Sequence, residues 1–231
     1  MSVFAISDLH LPGGDMKPMD VFGEHWKDHF EKISADWRDR VTGQDIVLLP
    51  GDLSWAMNLE DAKGDLEAVG ALPGRKIILR GNHDFWWSAI GRVRDALPEG
   101  MYAIQNDCVV LDDIVFCGTR GWTLPGAEST EDDRRIHRRE LMRMDMALSQ
   151  AQRKAEGRPI IAMMHYPPLT DTCRDTEWVA LLKQYGVRDL VYGHLHGAAL
   201  KGAFRGLYEG IRFHQVSCDG LDFKLYCLPE N

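Results

Sequence analysis

The sequence predicts an α/β fold that forms one domain over residues 1–231. Short apolar runs alternate with longer stretches in which apolar residues recur every three or four positions, as expected for strands that alternate with helices. A hydrophobic content of 45% in 231 residues is enough for one core, which would bury about 70% of the surface of the extended chain. Polar motifs follow several of the apolar runs, where α/β proteins place their functional sites.

Five apolar runs are predicted to be buried strands, because each is short and almost continuously apolar. They cover residues 3–6, 46–49, 77–79, 160–164 and 190–192. Two hairpins are predicted as well. The first joins 109–111 to 114–117 through Asp112-Asp113, and the second joins 211–216 to 222–227 through Cys218-Asp219-Gly220.

Three stretches are predicted to be helices. Apolar residues at helical spacing mark 22–37 and 86–97. A third helix begins at a cap residue, Ser129 or Thr130, and stops at Gly157. Acidic residues in its first turn offset its arginines, so we interpret the basic stretch as a solvated face rather than a phosphate patch. The stretch consists of Arg134, Arg135, Arg138, Arg139 and Arg143.

Composition disfavours several classes of function. A net charge of −8 argues against general nucleic-acid binding, which depends on clustered Lys and Arg. The five cysteines contain no Cys-x-x-Cys pair, which indicates buried, reduced thiols rather than a disulfide framework. No basic, apolar leader precedes the first strand, and no apolar run approaches membrane-spanning length. These features predict a cytoplasmic protein without a membrane partner and leave the oligomeric state open.

Five short polar motifs occur in order, each at the end of an apolar run. They are Asp8-Leu9-His10, Gly51-Asp52, Gly81-Asn82-His83-Asp84, Met164-His165 and Gly193-His194-Leu195-His196. Each alone is a common turn or cap sequence. Residues two apart on extended chain point to the same side, and a glycine beside a ligand lets the backbone approach an ion closely. The complete set therefore predicts a metal site.

These ordered motifs resemble those of the calcineurin-like metallophosphoesterase family over residues 3–197. The resemblance implies a four-layer α-β-β-α sandwich with two mixed β-sheets. It also implies two divalent or mixed-valence metal ions that share Asp52. Carboxylate, imidazole and carboxamide ligands suit manganese, iron or zinc. The implied ligands are Asp8, His10, Asp52 and His196 for the first metal, and Asp52, Asn82, His165 and His194 for the second.

The activity that the resemblance implies is hydrolysis of phosphodiesters or small phosphomonoesters by in-line attack of a hydroxide that both metals share. Asn82 and His83 would contact the substrate, with His83 near the leaving-group oxygen as general acid or electrostatic stabiliser. Asp84 could orient His83 and could also cap the following helix, and the sequence leaves these two compatible roles equally open.

The substrate class is inferred from one departure from the protein Ser/Thr phosphatases. Those enzymes carry an Asp-Arg element after Gly-Asp, whereas here Leu53-Ser54 follows Asp52. Without that arginine, we predict that diesters are preferred to monoesters. An apolar wall would hold one ester arm, with Trp55 and Trp122 as its candidates, although tryptophans more often serve the core. Arg120 could supply the missing cation from another loop.

Two alternatives to this phosphoesterase stay open. The first is a metal-dependent nuclease, which would carry the same motifs, but the net negative charge of the chain disfavours it. A non-catalytic scaffold on the same fold is the other alternative, and the complete set of motif residues disfavours it. The natural substrate and the identity of the metals do not follow from the sequence.

Overall fold

Eleven strands and five α-helices form the described part of the chain, residues 1–14 and 18–229 of a computed structural model. The strands are β1 Val3–Ala5, β2 Ile46–Pro50, β3 Arg75–Leu79, β4 Met101–Ile104, β5 Asp107–Leu111, β6 Ile114–Thr119, β7 Ile160–Met164, β8 Asp189–Tyr192, β9 Gly206–Tyr208, β10 Ile211–Gln215 and β11 Tyr226–Cys227. The helices are α1 His29–Arg40, α2 Leu59–Gly70, α3 Ile90–Ala96, α4 Glu131–Ala155 and α5 Glu177–Gln184.

The strands form two mixed sheets. The first has the order β11-β1-β2-β3-β4, in which β1 to β4 are parallel and β11 is antiparallel to β1. The second has the order β5-β6-β7-β8-β10-β9, with a parallel centre and antiparallel strands at both edges. The predicted α/β class and its two mixed sheets are therefore confirmed.

Three apolar clusters place the sheets and helices in layers. One cluster lies between the sheets. Every second residue of a strand belongs to it, as Val3 and Ala5 of β1 do. A second covers the other face of the first sheet with apolar residues of α1, α2 and α3, such as Trp37. A third covers the second sheet with α4 and α5, including Leu148 and Trp178. The result is the four-layer α-β-β-α arrangement that the family resemblance implies.

The long helix and the first hairpin agree with their predictions. Thr130 is the N-cap of α4, and its hydroxyl accepts a hydrogen bond from the backbone of Asp133, whose carboxylate bonds back to Thr130. This reciprocal capping box satisfies donors that the first turn would otherwise leave free. Strands β5 and β6 pair around Asp112, whose positive φ of 50° helps to close the turn.

The predicted helix over 22–37 is wrong in its first half. Two short 3-10 turns, Met19–Phe22 and Glu24–Trp26, precede α1. Gly23 has a φ of 132° and Asp28 a φ of 52°, and neither value continues a right-handed helix. Trp26 is still buried in the same cluster as α1. The apolar spacing therefore predicted the burial of Trp26 correctly but not its backbone conformation.

The predicted hairpin near the carboxyl end is also wrong. Strand β10 pairs with β8 on one side and β9 on the other, so both of its hydrogen-bonding edges are occupied. A 3-10 turn, Cys218–Leu221, follows, and Phe223 continues the reversal with a φ of 58°. The chain then crosses to the first sheet, where β11 pairs with β1.

Two smaller predictions are modified. The helix expected over 86–97 begins only at Ile90, because Trp86 and Trp87 lie in the loop before it. Only Cys117 and Cys218 are buried, whereas Cys108 is half-buried and Cys173 and Cys227 are exposed. Among the described residues, no helix is both long and apolar enough to cross a membrane.

Candidate metal centre

The five polar motifs meet at one edge of the two sheets. Each motif follows a strand that has at least one parallel neighbour, and the carboxyl ends of parallel strands share an edge. Because the two sheets pack face to face, the loops of the first sheet approach those of the second. The loops are those after β1, β2, β3, β7 and β8.

Asp8, His10 and His196 form the first group of candidate ligands. One potential ligand atom from each of the three lies within 4.8 Å of the others. Oδ1 of Asp8 is 3.3 Å from Nε2 of His196. Asp8 and His10 are buried and His196 is half-buried, so these side chains converge away from bulk water.

A second group surrounds Asn82 and His165. Oδ1 of Asn82 lies 2.6 Å from Nε2 of His165 and 2.9 Å from Nδ1 of His194. Asp8, Asp52 and His165 also bring ligand atoms within 4.8 Å of one another. The structure thus brings together all seven side chains that the resemblance implies as ligands.

Asp52 stands between the two groups. Its Oδ2 is 3.4 Å from Nε2 of His165 and 3.9 Å from Nε2 of His10. The other oxygen, Oδ1, accepts a hydrogen bond of 2.8 Å from the backbone N–H of His83. One carboxylate oxygen is therefore fixed to the loop after β3, and the other faces imidazoles of both groups.

Unpaired imidazole nitrogens fit a metal. Nδ1 of His10 is buried and lacks a hydrogen-bond partner among residues 1–14 and 18–229, although buried polar atoms are normally paired. Nε2 of His196 faces Oδ1 of Asp8 at 3.3 Å but is not aligned for a hydrogen bond. Nδ1 of His196 lies 2.9 Å from Oδ1 of Asp219. A carboxylate on one ring nitrogen orients the other toward a metal, so this donor set fits a divalent cation.

Electrostatics also favour a cation here. Although burial opposes the change, His196 and the neighbouring imidazoles lower the pKa of Asp8, which stays ionised. Burial lowers the pKa of His10 to about 4, which leaves its ring neutral and able to bind metal. The pKa of His165 rises to about 9 because the nearby Asp52 outweighs burial. Protons and metal ions would therefore compete for the same buried negative charge.

The backbone of the centre adopts an unusual conformation. Asp8, His10, Asp52 and His194 have φ values of 60°, 45°, 52° and 71°, in the left-handed region that costs an L-residue about 1–2 kcal/mol. Hydrogen bonds between loops hold them there: the backbone N–H of Asp8 donates to Gly51 and that of His10 to Asp52. The surrounding loops thus impose the conformation that turns these side chains inward.

Two of the motif glycines allow the loops to pack closely. A Cβ at Gly81 would overlap the carboxylate of Asp52, and a Cβ at Gly193 would overlap the side chains of Ser7 and Asp8. Neither glycine is in the left-handed region, so close approach is the reason that only glycine fits. The predicted role of these glycines beside the ligands agrees with this geometry.

Asp84 holds the loops together. Its fully buried carboxylate accepts hydrogen bonds from the backbone N–H groups of residues 52, 53, 54 and 81 and from Nε1 of Trp86. Among the described residues it makes no hydrogen bond to His83, and α3 is preceded by Ala89 rather than Asp84. The predicted cap role of Asp84 is therefore wrong: its carboxylate instead positions the Asp52 loop, and its predicted action on His83 would not run through a hydrogen bond.

Replacing Asp84 by alanine should destabilise the fold. Each buried N–H group left without a partner costs about 1–3 kcal/mol, so we expect Asp84→Ala to lower the free energy of unfolding by at least about 3 kcal/mol. Urea unfolding of the metal-free protein measures this change. Asp113→Ala, at an exposed carboxylate, is the matched control and should change stability by less than about 0.5 kcal/mol. A loss below about 1 kcal/mol for Asp84→Ala would contradict the assigned role.

His83 lies at the open side of the centre. Its ring is half-buried, 4.6 Å from the ring of Trp55 and 5.7 Å from that of His10, measured between centroids. Trp55 in turn stacks on His10 at 4.7 Å with an interplanar angle of 20°. Trp55, one of the two predicted wall tryptophans, therefore lies directly beside His83 and His10.

An apolar cavity of about 280 Å3 opens beside these rings. His10, His83 and His196 form its wall toward the metal centre. The opposite wall comes from the 3-10 turns before α1 and from the loop after β2: Met19, Phe22, Trp26 and Trp55. The cavity is thus wide enough for a small apolar group next to the candidate ligands.

Trp122 and Arg120 lie on a different side from Trp55. The Arg120 guanidinium sits over the Trp122 ring at 4.9 Å, and Nε1 of Trp122 donates to Asp133. Trp122 contacts Tyr166, whose ring packs against His194 at 4.2 Å. Neither Arg120 nor Trp122 lines the apolar cavity, so the structure does not bring the two predicted wall tryptophans together.

The sequence does not identify several residues of the site. Apolar spacing predicts Trp26 in a core helix, and its place in the cavity follows only from the break at Gly23. The sequence predicts Asp219, which pairs with His196, in a hairpin turn. Tyr166 follows His165 directly, and this adjacency to a motif histidine was the one available signal.

Comparison with known proteins gives a family and a fold. Residues 1–198 match the family described as calcineurin-like phosphoesterase. A phosphopantetheinyl hydrolase from Mycobacterium tuberculosis has a similar structure, with a TM-score of 0.57 and 15% identity over 100% of this chain and 96% of that one. A protein of unknown function from Aquifex aeolicus has a TM-score of 0.52 and 16% identity, over 98% and 95% of the two chains. No curated protein sequence matched the chain.

The family match covers all five polar motifs and the loops that bring them together. The two solved structures share the fold at low sequence identity. This chain belongs to the calcineurin-like phosphoesterase family.

Proposed function

We propose that this protein is a two-metal phosphoesterase that hydrolyses phosphodiesters or small phosphomonoesters and prefers diesters. The observation that carries the proposal is the position of Asp52, whose Oδ2 lies within 4 Å of imidazole nitrogens from two separate ligand groups. A carboxylate in that place can serve two ions at once, and family membership supports the hydrolase class.

Each proposed metal has its own set of side chains. Asp8, His10, Asp52 and His196 would hold the first, and Asp52, Asn82, His165 and His194 the second. Bound by these residues, two such ions would supply Lewis-acid chemistry that activates a water molecule and neutralises charge on the phosphate oxygens. We propose manganese, iron or zinc, because the donors are carboxylate, imidazole and amide groups without a thiolate.

The protein's own groups would position the ester. The amide of Asn82 faces both His165 and His194, so it orients the second group of ligands. His83 has an open side toward the apolar cavity. From there, its ring could donate a proton to the oxygen of a leaving group, which is a general-acid role.

The apolar cavity supports the proposed diester preference. A diester has two ester arms and one negative charge, so one arm can lie between Trp26 and Trp55 while the phosphate meets the metal ligands. Aromatic side chains offer large, rigid contact area for such an arm. A monoester dianion gains more from an added cation, and the Arg120 side chain lies outside this cavity.

Metal analysis and a hydrolysis assay test the proposed function together. Purified protein should contain about two metal ions per chain. It should hydrolyse bis(4-nitrophenyl) phosphate, lose this activity in chelator, and regain it best with manganese. A protein that binds no metal and hydrolyses no ester would support the non-catalytic scaffold instead, and efficient cleavage of oligonucleotides would support the nuclease.

The substrate preference should be visible with two nitrophenyl esters. We expect a higher kcat/KM for bis(4-nitrophenyl) phosphate than for 4-nitrophenyl phosphate, because one aryl arm fills the cavity and no arginine faces it. The ratio of the two kcat/KM values measures this preference. Arg120→Ala should preserve the ratio, whereas Trp55→Ala should lower it by about tenfold. A monoester preference that disappears in Arg120→Ala would overturn the diester assignment.

A further inference from the structure

Three arginines line a second, polar cavity near the metal centre. Arg80, Arg120 and Arg143 surround a space of about 120 Å3, together with polar groups of Asn106 and Thr119. This space is less than half as large as the apolar cavity. It has room for one small polar group but not for a nucleobase or an aryl ring.

The polar cavity lined by Arg80, Arg120 and Arg143, here called the arginine cavity, is connected to the candidate ligands through the backbone. Arg80 directly precedes Gly81-Asn82 at the end of β3. The carbonyl oxygen of Arg120 accepts hydrogen bonds from the backbone N–H groups of His165 and Tyr166. Arg80 therefore belongs to the same loop as Asn82, and the backbone of Arg120, which follows β6, is hydrogen-bonded to the loop of His165.

One of the three positive charges is compensated within the cavity. Arg143 pairs with Glu140, which is only 1% exposed, and the other oxygen of Glu140 accepts from the Thr119 hydroxyl. Among the described residues, the Arg80 and Arg120 side chains form no ion pair. Arg120 instead stacks on Trp122. The lining therefore carries three cations and one anion, a net excess of two positive charges.

Arg80 is the clearest sign of a missing partner. Its Nε is buried and has no hydrogen-bond partner among residues 1–14 and 18–229. The side chains of Arg120 and Arg143 line the same small cavity. Two close guanidinium groups without a shared carboxylate repel each other, and arginine forks match the oxygens of phosphate groups. A tetrahedral oxyanion would relieve both the unpaired donor and the repulsion.

We propose that Arg80, Arg120 and Arg143 bind a phosphate-type dianion, namely a second phosphoryl group on the substrate. The assignment of this group to the substrate depends on the proposed phosphoesterase function, but the oxyanion site itself does not. The preferred substrates would then carry one phosphate at the metal centre and another in the arginine cavity. Free inorganic phosphate has the same chemistry and is the alternative source of the ligand.

The first experiment measures binding without metal. Calorimetry with orthophosphate and pyrophosphate, on chelator-treated protein, should show binding by the wild type. Arg80→Gln and Arg120→Gln should weaken it by at least about tenfold, which is about 1.4 kcal/mol. Arg139→Gln is the matched control, because Arg139 is an exposed arginine on the same helix as Arg143. Circular dichroism confirms that each variant is folded.

Two results of this experiment would overturn the oxyanion site. The first is no measurable binding of either anion by the wild type. The second is equal binding by folded Arg80→Gln, Arg120→Gln and the wild type, because the anion would then lie elsewhere. Use of metal-free protein keeps this outcome separate from the proposed catalytic activity.

The second experiment identifies the source of the phosphoryl group. With metal-loaded enzyme, adenosine 3′,5′-bisphosphate should have a kcat/KM at least about tenfold above that of adenosine 5′-monophosphate. Arg80→Gln should bring this ratio close to one, and Arg139→Gln should keep it. If the wild type shows no such ratio while it hydrolyses bis(4-nitrophenyl) phosphate, the ligand is free phosphate and the substrate assignment is overturned. Binding without any ester hydrolysis would support the oxyanion site and overturn the proposed function.

Discussion

Asp52→Ala should leave the protein with almost no bound metal and lower kcat/KM by at least about 10⁴-fold. Its Oδ2 faces imidazoles of both ligand groups, so the substitution would remove a ligand from each proposed ion. Loss of this buried negative charge would also weaken the attraction of the site for cations. Elemental analysis of the purified protein measures the metal content directly, and hydrolysis of bis(4-nitrophenyl) phosphate measures kcat/KM.

Matched variants separate the bridging role from general damage to the loop. Asp52→Asn keeps an oxygen that can accept from the backbone N–H of His83, as Oδ1 does now, but removes the charge, so it should also lose both metals. His10→Ala and His165→Ala should each chiefly weaken one site and retain about one ion per chain. Retention of two metals by Asp52→Ala would show that this carboxylate does not bridge.

His83→Ala should keep both metals and lose rate, on the order of 10²- to 10⁴-fold for esters with poor leaving groups. The His83 ring touches the rings of Trp55 and His10 and faces the apolar cavity, which fits a proton donor better than a ligand. A nitrophenolate leaves readily without a proton, so the loss should shrink for nitrophenyl esters. A series of leaving groups, with kcat/KM for each, measures this dependence.

His25→Ala is the control for His83. His25 lines the same cavity but contacts Trp26 and Phe223 rather than the candidate ligands. Its loss should therefore lower the rate by less than about tenfold and show no dependence on the leaving group. Equal losses across the series in His83→Ala would exclude a general acid and leave only electrostatic stabilisation. A loss of metal in that variant would make His83 a ligand.

Local sequence predicted the parts of the site that depend on strand order. Asp8, Asp52, Asn82, His165 and His194 each follow a strand, and parallel strands bring their carboxyl ends together whatever the connecting helices do. The positions of these residues could therefore be inferred without knowing which sheet each strand joins. Strand β7 was predicted with its exact limits, because its apolar run ends directly at His165.

Contacts between distant segments could not be predicted in this way. Asp219 reaches His196 only because β10 inserts beside β8 and the following turn returns to the centre. Trp26 reaches the cavity because Gly23 and Asp28 break a helical pattern that apolar spacing alone supports. The same limit applies to Arg143, which the sequence predicts on a solvated face but which lines a cavity with Arg80 and Arg120 through tertiary packing.

The left-handed backbone at Asp8, His10, Asp52 and His194 lowers thermal stability, although the proposed function needs the side chains at these positions. A glycine at any of these positions would relax the backbone, since only glycine adopts this region without steric cost, but it would also remove a proposed ligand. Selection for heat resistance alone would therefore favour substitutions that empty the centre, a conflict that recurs where activity depends on strained residues. Binding of metal would compensate for the strain only in the folded protein, so the heat resistance of this chain would depend on the metal supply around it.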